Sequence, residues 1–259
     1  MSLAACADAV RLGDPDRFAA TMAAPLAVRD RLWPLYAANL EIARAPWAAT
    51  EPVVAEMRLQ WWVDTVGELA NGGERRGHAV TEALAPILAS DPMLAPLLTG
   101  IAEARRWDCW RDPFADQAAF ATYLDATAGN LYWAAARTLG APAGAEAAVR
   151  DFAHAAGLAA WFRAVPQLET RGRLPLVDGR PDAVAALARQ GLARIAAGRA
   201  ARGTVPAAVR PALYPAWQAA ALLRQAASQP QRVASGELAL SEAGRRGRLL
   251  WLVLRGACP

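Results

Sequence analysis

Apolar residues recur every three or four positions through most of the chain, and the strict alternation of a half-buried strand is scarce. The clearest stripe is Leu59, Trp62, Val63, Val66 and Leu69, which gives one apolar face to a helix from Glu51 to Ala70. Asp14-Pro15 predicts a helix over Asp16–Ala23, because the Asp14 carboxylate can accept from free backbone N–H groups while Pro15 sits where no N–H is needed. A second helix begins near Pro25, carries Leu26, Leu32, Trp33, Leu35, Tyr36, Leu40 and Ile42, and stops at Pro46; Pro34 inside it is expected to cause a kink. Asn71-Gly72-Gly73 closes the Glu51–Ala70 helix, and residues 74–77 read as loop.

Helices are then expected over His78–Ala89, over Pro92–Trp110, and from an Asp116 cap to Leu139, where Phe120, Leu124, Thr127 and Leu131 mark the buried side. After a connection at Gly140–Gly144 comes a small-residue helix through Phe152 that Pro166 is expected to bend or end. The last helices are expected near Asp182–Ala201, Pro206–Gln225 and Ser241–Arg255. The pattern predicts an all-α protein without internal repeats, read as a single domain over residues 1–259.

Composition supports that fold class. The 259 residues are 55% hydrophobic, rich in Ala and Leu, which favours helix over sheet. The net charge is +4, all 28 basic residues are Arg, and this balance admits an anionic membrane surface, a phosphate-bearing ligand or an acidic protein partner. A nucleic-acid partner is not expected. Cys6, Cys109 and Cys258 are far apart and form no Cys-x-x-Cys pair, so neither a disulfide framework nor a zinc site is indicated and a reducing cytoplasm fits. No secretory signal and no apolar run of about 18–20 residues is evident.

A few side chains could carry chemistry. Met57, Trp61, Asp64 and Glu68 share a helix face, so two carboxylates one turn apart sit beside an indole; such a pair is usually a solvated face, with metal ligation as the alternative. His78 and His154 lack a Cys, Asp or Ser partner at a diagnostic spacing and read as ordinary. Trp61, Trp62, Trp161 and Trp217 read as core. The ending, from Arg245 to Arg255, is basic and then apolar; a buried last helix is the expectation and a membrane-surface helix the alternative.

Several motifs occur together. They are Leu35-Tyr36-Ala37, Glu56-x-Arg58-x-Gln60-Trp61-Trp62-x-Asp64, Tyr123-Leu124-x-x-Thr127-x-Gly129, and a stretch from Phe152 to Leu176 with Arg163 followed by Arg171-Gly172-Arg173. In this order they resemble the squalene/phytoene synthase family, from about Asp14 to Leu176, and the resemblance implies an isoprenoid synthase-like helical bundle around a central cavity. Enzymes of that family couple two isoprenyl diphosphates head to head, with magnesium held by two aspartate-rich helices. Carboxylates at i and i+4 suit that task, since magnesium demands hard oxygen ligands converging on one point.

Aligned on these landmarks, the acids of the first motif fall on Ala43, Arg44 and Trp47, and those of the second on Ala164 and Leu168. Glu41 lies two residues early, roughly 200° around the helix. The resemblance thus implies a scaffold without its metal clamp, a non-catalytic chain with no metal and no cofactor. Arg163, Arg171 and Arg173 match basic positions of the family's diphosphate region and are candidates for contact with an anion or partner, or for helix-end solvation.

Asn39-x-Glu41-Ile42-Ala43 and Arg163-Ala164-Val165-Pro166 resemble a branch of the family associated with assembly of respiratory complex I. That implies a complex I subunit or intermediate as partner, bound at the cytoplasmic face of an inner membrane. Two alternatives stay open: an isoprenyl diphosphate-processing transferase with ligands rebuilt at Glu41, Asp64 and Glu68, and a non-catalytic binder of an isoprenoid lipid such as a quinone.

Overall fold

A computed structural model describes residues 2–73 and 77–259, and among these no residue is in a strand. The chain folds as α1 (Ser2–Gly13), α2 (Pro15–Met22), α3 (Leu26–Arg44), α4 (Pro52–Ala70), α5 (Ala79–Ser90), α6 (Leu94–Ala104) and α7 (Gln117–Leu124). It continues as α8 (Asn130–Thr138), α9 (Glu146–Thr170), α10 (Pro181–Ala200), α11 (Ala219–Ser228), α12 (Gln231–Ala234) and α13 (Glu242–Arg255). A π-helical turn, Asp125–Gly129, joins α7 to α8. Residues 74–76, part of the expected loop, lie outside the described residues.

The helix starts follow the expected capping chemistry. Asp14 accepts the Arg17 N–H at 2.9 Å with Pro15 in the first turn of α2, and Asp116 accepts the Ala119 N–H at 2.7 Å. At the centre is α9, which packs against α7, α8, the π turn, α10, α11 and α12. Its Phe152, Ala153, Ala155, Leu158, Phe162 and Val165 are buried. Gly157 allows the closest of these approaches: a Cβ there would come within 2.7 Å of the Ala128 Cβ on the π turn.

Proline accounts for two departures from the expected helices. The expected end at Pro166 is not there, since α9 runs on to Thr170. One lost backbone bond costs about 3 kcal/mol, but Val165 and Leu168 are buried on either side and each contributes about 1.5–3 kcal/mol. The expected Pro206–Gln225 helix is instead a 3₁₀ stretch, Arg210–Ala216, followed by α11, because Pro211 and Pro215 withhold two N–H donors from any α ladder. α3 passes through Pro34, which is buried.

Other differences have packing causes. α1 is not foreseen in the sequence pattern, since only Cys6 and Val10 of its residues are fully buried, against α3 and α5. The Pro92–Trp110 helix is shorter, with a 3₁₀ segment at Arg105–Cys109. Trp62, Trp161 and Trp217 are core residues as expected, whereas Trp61 is exposed beside His78. The last helix is not buried as expected: only Leu252 of α13 is fully covered. None of the described helices is long and apolar enough to cross a membrane.

Candidate functional site

The bundle encloses a cavity of about 700 Å³ walled by α2, α3, the π turn, α9, the 210–216 stretch and α11. Buried apolar side chains, Leu124, Leu131, Trp161 and Leu222 among them, line it together with the buried Asp108, Tyr123 and Thr127. Its rim is exposed and basic: Arg44, Arg163 and Arg171 line it beside Gln167. The π turn widens α7–α8 at the wall, where the Thr127 hydroxyl donates to the Tyr123 carbonyl at 2.7 Å.

Three carboxylates reach the wall among the described residues, and each is held by arginine. Asp14 pairs with Arg17 at 2.9 Å. Asp16 accepts from Arg163 at 2.9 Å and also meets Arg245 of α13. Burial alone would raise the Asp16 pKa, but hydrogen bonds from Arg163 and Gln218 and the charge of Arg245 more than offset it and hold the carboxyl below its usual range. Asp108 is almost fully buried, accepts from Arg105 at 2.9 Å and takes the Tyr123 hydroxyl at 2.9 and 3.1 Å.

The phenols of the site are neutral donors. Burial raises the pKa of Tyr123 and Tyr132, and pushes Tyr36 up to about 12. The guanidinium of Arg17 lies over Tyr36 and Tyr132, 4.8 and 5.6 Å from the ring centroids. Its buried Nη1 and the Tyr36 hydroxyl meet no acceptor within hydrogen-bond geometry. Arg17 lines the cavity whereas Tyr36 lies behind it in the core, so a carbonyl, carboxylate or phosphate oxygen in the cavity would complete the Arg17 Nη1 donor.

The five positions on which the resemblance would put the family's acids all lie at the cavity. Ala43 and Arg44 from the end of α3, Trp47 from the following turn, and Ala164 and Leu168 from α9 all line the cavity. Arg163 and Arg171 line it too, Arg171 with its guanidinium 4.4 Å from the Trp47 ring. Arg173 turns away: it is buried over Trp107 and donates to the carbonyls of Trp107 and Asp108 at 2.8 and 3.1 Å. It holds the 3₁₀ segment against the end of α9.

Asp64 and Glu68 are exposed on α4, Asp64 accepting from Gln60 at 2.7 Å, and neither they nor Glu41 line the cavity. Among the described residues no group of three or more His, Cys, Asp and Glu is placed to hold a metal. Magnesium therefore does not fit this wall, since each Asp on it is already paired with an arginine and belongs to no such group that could share a cation.

Arg17, Arg105 and Asp108 were not singled out by sequence reasoning. Their signals were local and modest: both pairs, Asp14–Arg17 and Arg105–Asp108, stand at i, i+3, a spacing common on any helical surface. Only the fold brings them to one cavity.

A family model described as squalene/phytoene synthase matches residues 10–177. Among solved structures, a dehydrosqualene synthase in complex with ligand superposes with a TM-score of 0.81 at 14% identity, over 98% of this chain and 95% of that one. The squalene synthase HpnC from Alicyclobacillus acidocaldarius superposes with a TM-score of 0.67 at 15% identity, over 100% of this chain and 95% of that one. No curated protein matches the sequence.

Proposed function

Because the chain belongs to the squalene/phytoene synthase family, we propose that it keeps the family's cavity without its coupling chemistry and works as a binding protein for respiratory complex I or an assembly intermediate, at the cytoplasmic face of the inner membrane. The observation that carries the loss of chemistry is the cavity wall itself. Ala43, Arg44, Trp47, Ala164 and Leu168 offer no oxygen ligand, and Asp14, Asp16 and Asp108 are each held by arginine. Without a cation to neutralise a leaving diphosphate, ionisation of an allylic substrate has no electrostatic support. The transferase alternative would need Glu41, Asp64 and Glu68 to meet at the cavity, and they lie off its wall.

The partner rests on the branch resemblance at residues 39–43 and 163–166. It is tested by gentle affinity capture from solubilised membranes followed by mass spectrometry. Complex I subunits are expected to be enriched over a mock capture; equal abundance in both would remove the partner assignment. A second reading has its own observation: the unpartnered Arg17 Nη1 on a wall that also carries Leu124, Leu131 and Leu222 suits the carbonyl head and tail of an isoprenoid lipid such as a quinone.

A further inference from the structure

The helix α13 is stitched to the body by one side only. Leu249, Leu252 and Val253 pack against a small cluster of Ala20, Ala24, Tyr214 and Trp217, and Arg245 reaches Asp16 at the cavity. On the other side Leu250, Trp251 and Leu254 are 61%, 55% and 77% exposed. At about 3.6 residues per turn these three form one outward apolar strip. Arg246 borders the strip on one edge, and Arg248 and Arg255 border it on the other, all three exposed. The Arg255 guanidinium lies 4.3 Å from the Trp251 ring centroid.

From this arrangement we infer that the outward face of α13 docks in the plane of an anionic lipid surface. The inference deepens the membrane placement proposed above and does not depend on complex I being the partner. Each part of the face has a role in that environment. Leu250 and Leu254 would enter the boundary between headgroups and acyl chains, Trp251 would sit at the headgroup level, and the flanking arginines would reach lipid phosphates. Glu242, the one acidic residue of the helix, is in its first turn and is held by Arg245 and Arg246 at 3.2 and 2.8 Å, so no free carboxylate faces outward along the strip.

Length agrees with lying flat. The 14 residues of α13 extend about 21 Å, short of the roughly 30 Å hydrocarbon core they would have to cross. Charge selects lipid over a second copy of this chain. A dimer closed on this face would bring the same arginines against each other, whereas an anionic bilayer supplies their counter-charges. Docking would also hold the cavity close to the lipid, because Arg245 of α13 and Arg163 of the rim share Asp16.

The test is sedimentation of the full chain with vesicles of phosphatidylcholine alone or mixed with phosphatidylglycerol. Binding is expected on the mixed vesicles and to weaken as salt is raised. The double variant Leu250→Glu/Leu254→Glu is expected to fall to the level seen with phosphatidylcholine alone. The triple variant Arg246→Gln/Arg248→Gln/Arg255→Gln is expected to bind mixed vesicles roughly 100-fold more weakly, since each arginine near such a surface is worth a factor of about five. All these side chains are exposed, so far-UV circular dichroism should match the parent.

Absence of binding by the parent chain, or binding by both variants as tight as the parent's, would overturn the inference. So would a concentration-dependent dimer that Leu250→Glu/Leu254→Glu dissolves while vesicles are ignored. Lost vesicle binding with retained capture of complex I subunits would remove this surface and leave the partner assignment standing. The reverse outcome would do the opposite.

Discussion

Replacing Asp108 with alanine is expected to lower the unfolding free energy by about 3–5 kcal/mol, the cost typical of removing one partner from a buried ion pair. Asp108 accepts from Arg105 and from the Tyr123 hydroxyl, and its side chain is 2% exposed. Alanine there leaves the guanidinium without its counter-charge and the phenol without its acceptor. Damage should spread to the neighbouring aromatic group, where Trp107 stacks on Phe114 at 3.9 Å and Tyr123 meets Trp161 edge-on at 5.2 Å. Asp108→Asn should cost less, because an amide oxygen can still accept. Arg105→Met placed on top of Asp108→Ala should recover part of the loss by removing the orphaned charge. Urea unfolding measures all three, and a loss below about 1 kcal/mol for Asp108→Ala would show the network to be dispensable.

The second large effect lies where α9 crosses α10. Phe152 is fully buried, and a Cβ added at Gly198 would stand 2.9 Å from its ring. Phe152→Ala is expected to cost about 3–5 kcal/mol through lost burial and the cavity left behind. Gly198→Ala alone should cost about 1–3 kcal/mol by overpacking. Together they should couple: in the Phe152→Ala background the new methyl has room, and alanine's helix preference of about 1 kcal/mol over glycine should make Gly198→Ala neutral or stabilising. Strict additivity in a double-mutant cycle would mean the two residues do not meet.

Local signals made much of the fold legible. The α4 stripe, the Asp14 and Asp116 caps and the proline starts depend on near neighbours in the chain, so they can be read in order. The site was legible only through motif register. Ala43 and Ala164 carry no chemistry that would draw attention, yet both line the cavity. What the sequence left dark depends on distant packing. Pro166 passes through α9 because its neighbours are buried, Arg173 is taken up by the carbonyls of Trp107 and Asp108, and Arg17 becomes a buried cation only when Tyr36 and Tyr132 close over it. The exposed strip of α13 was in the pattern as a basic and then apolar ending, but which side faces out is decided by Ala20, Ala24 and Trp217.

On the function proposed above, this cavity does not support diphosphate ionisation. The direct measurement is release of diphosphate from farnesyl or geranylgeranyl diphosphate by the purified full chain with magnesium. No release above a protein-free control is expected at any magnesium concentration. Magnesium-dependent release above that control would contradict it, and its loss in Glu41→Ala or Asp64→Ala would assign the activity to the rebuilt-ligand alternative.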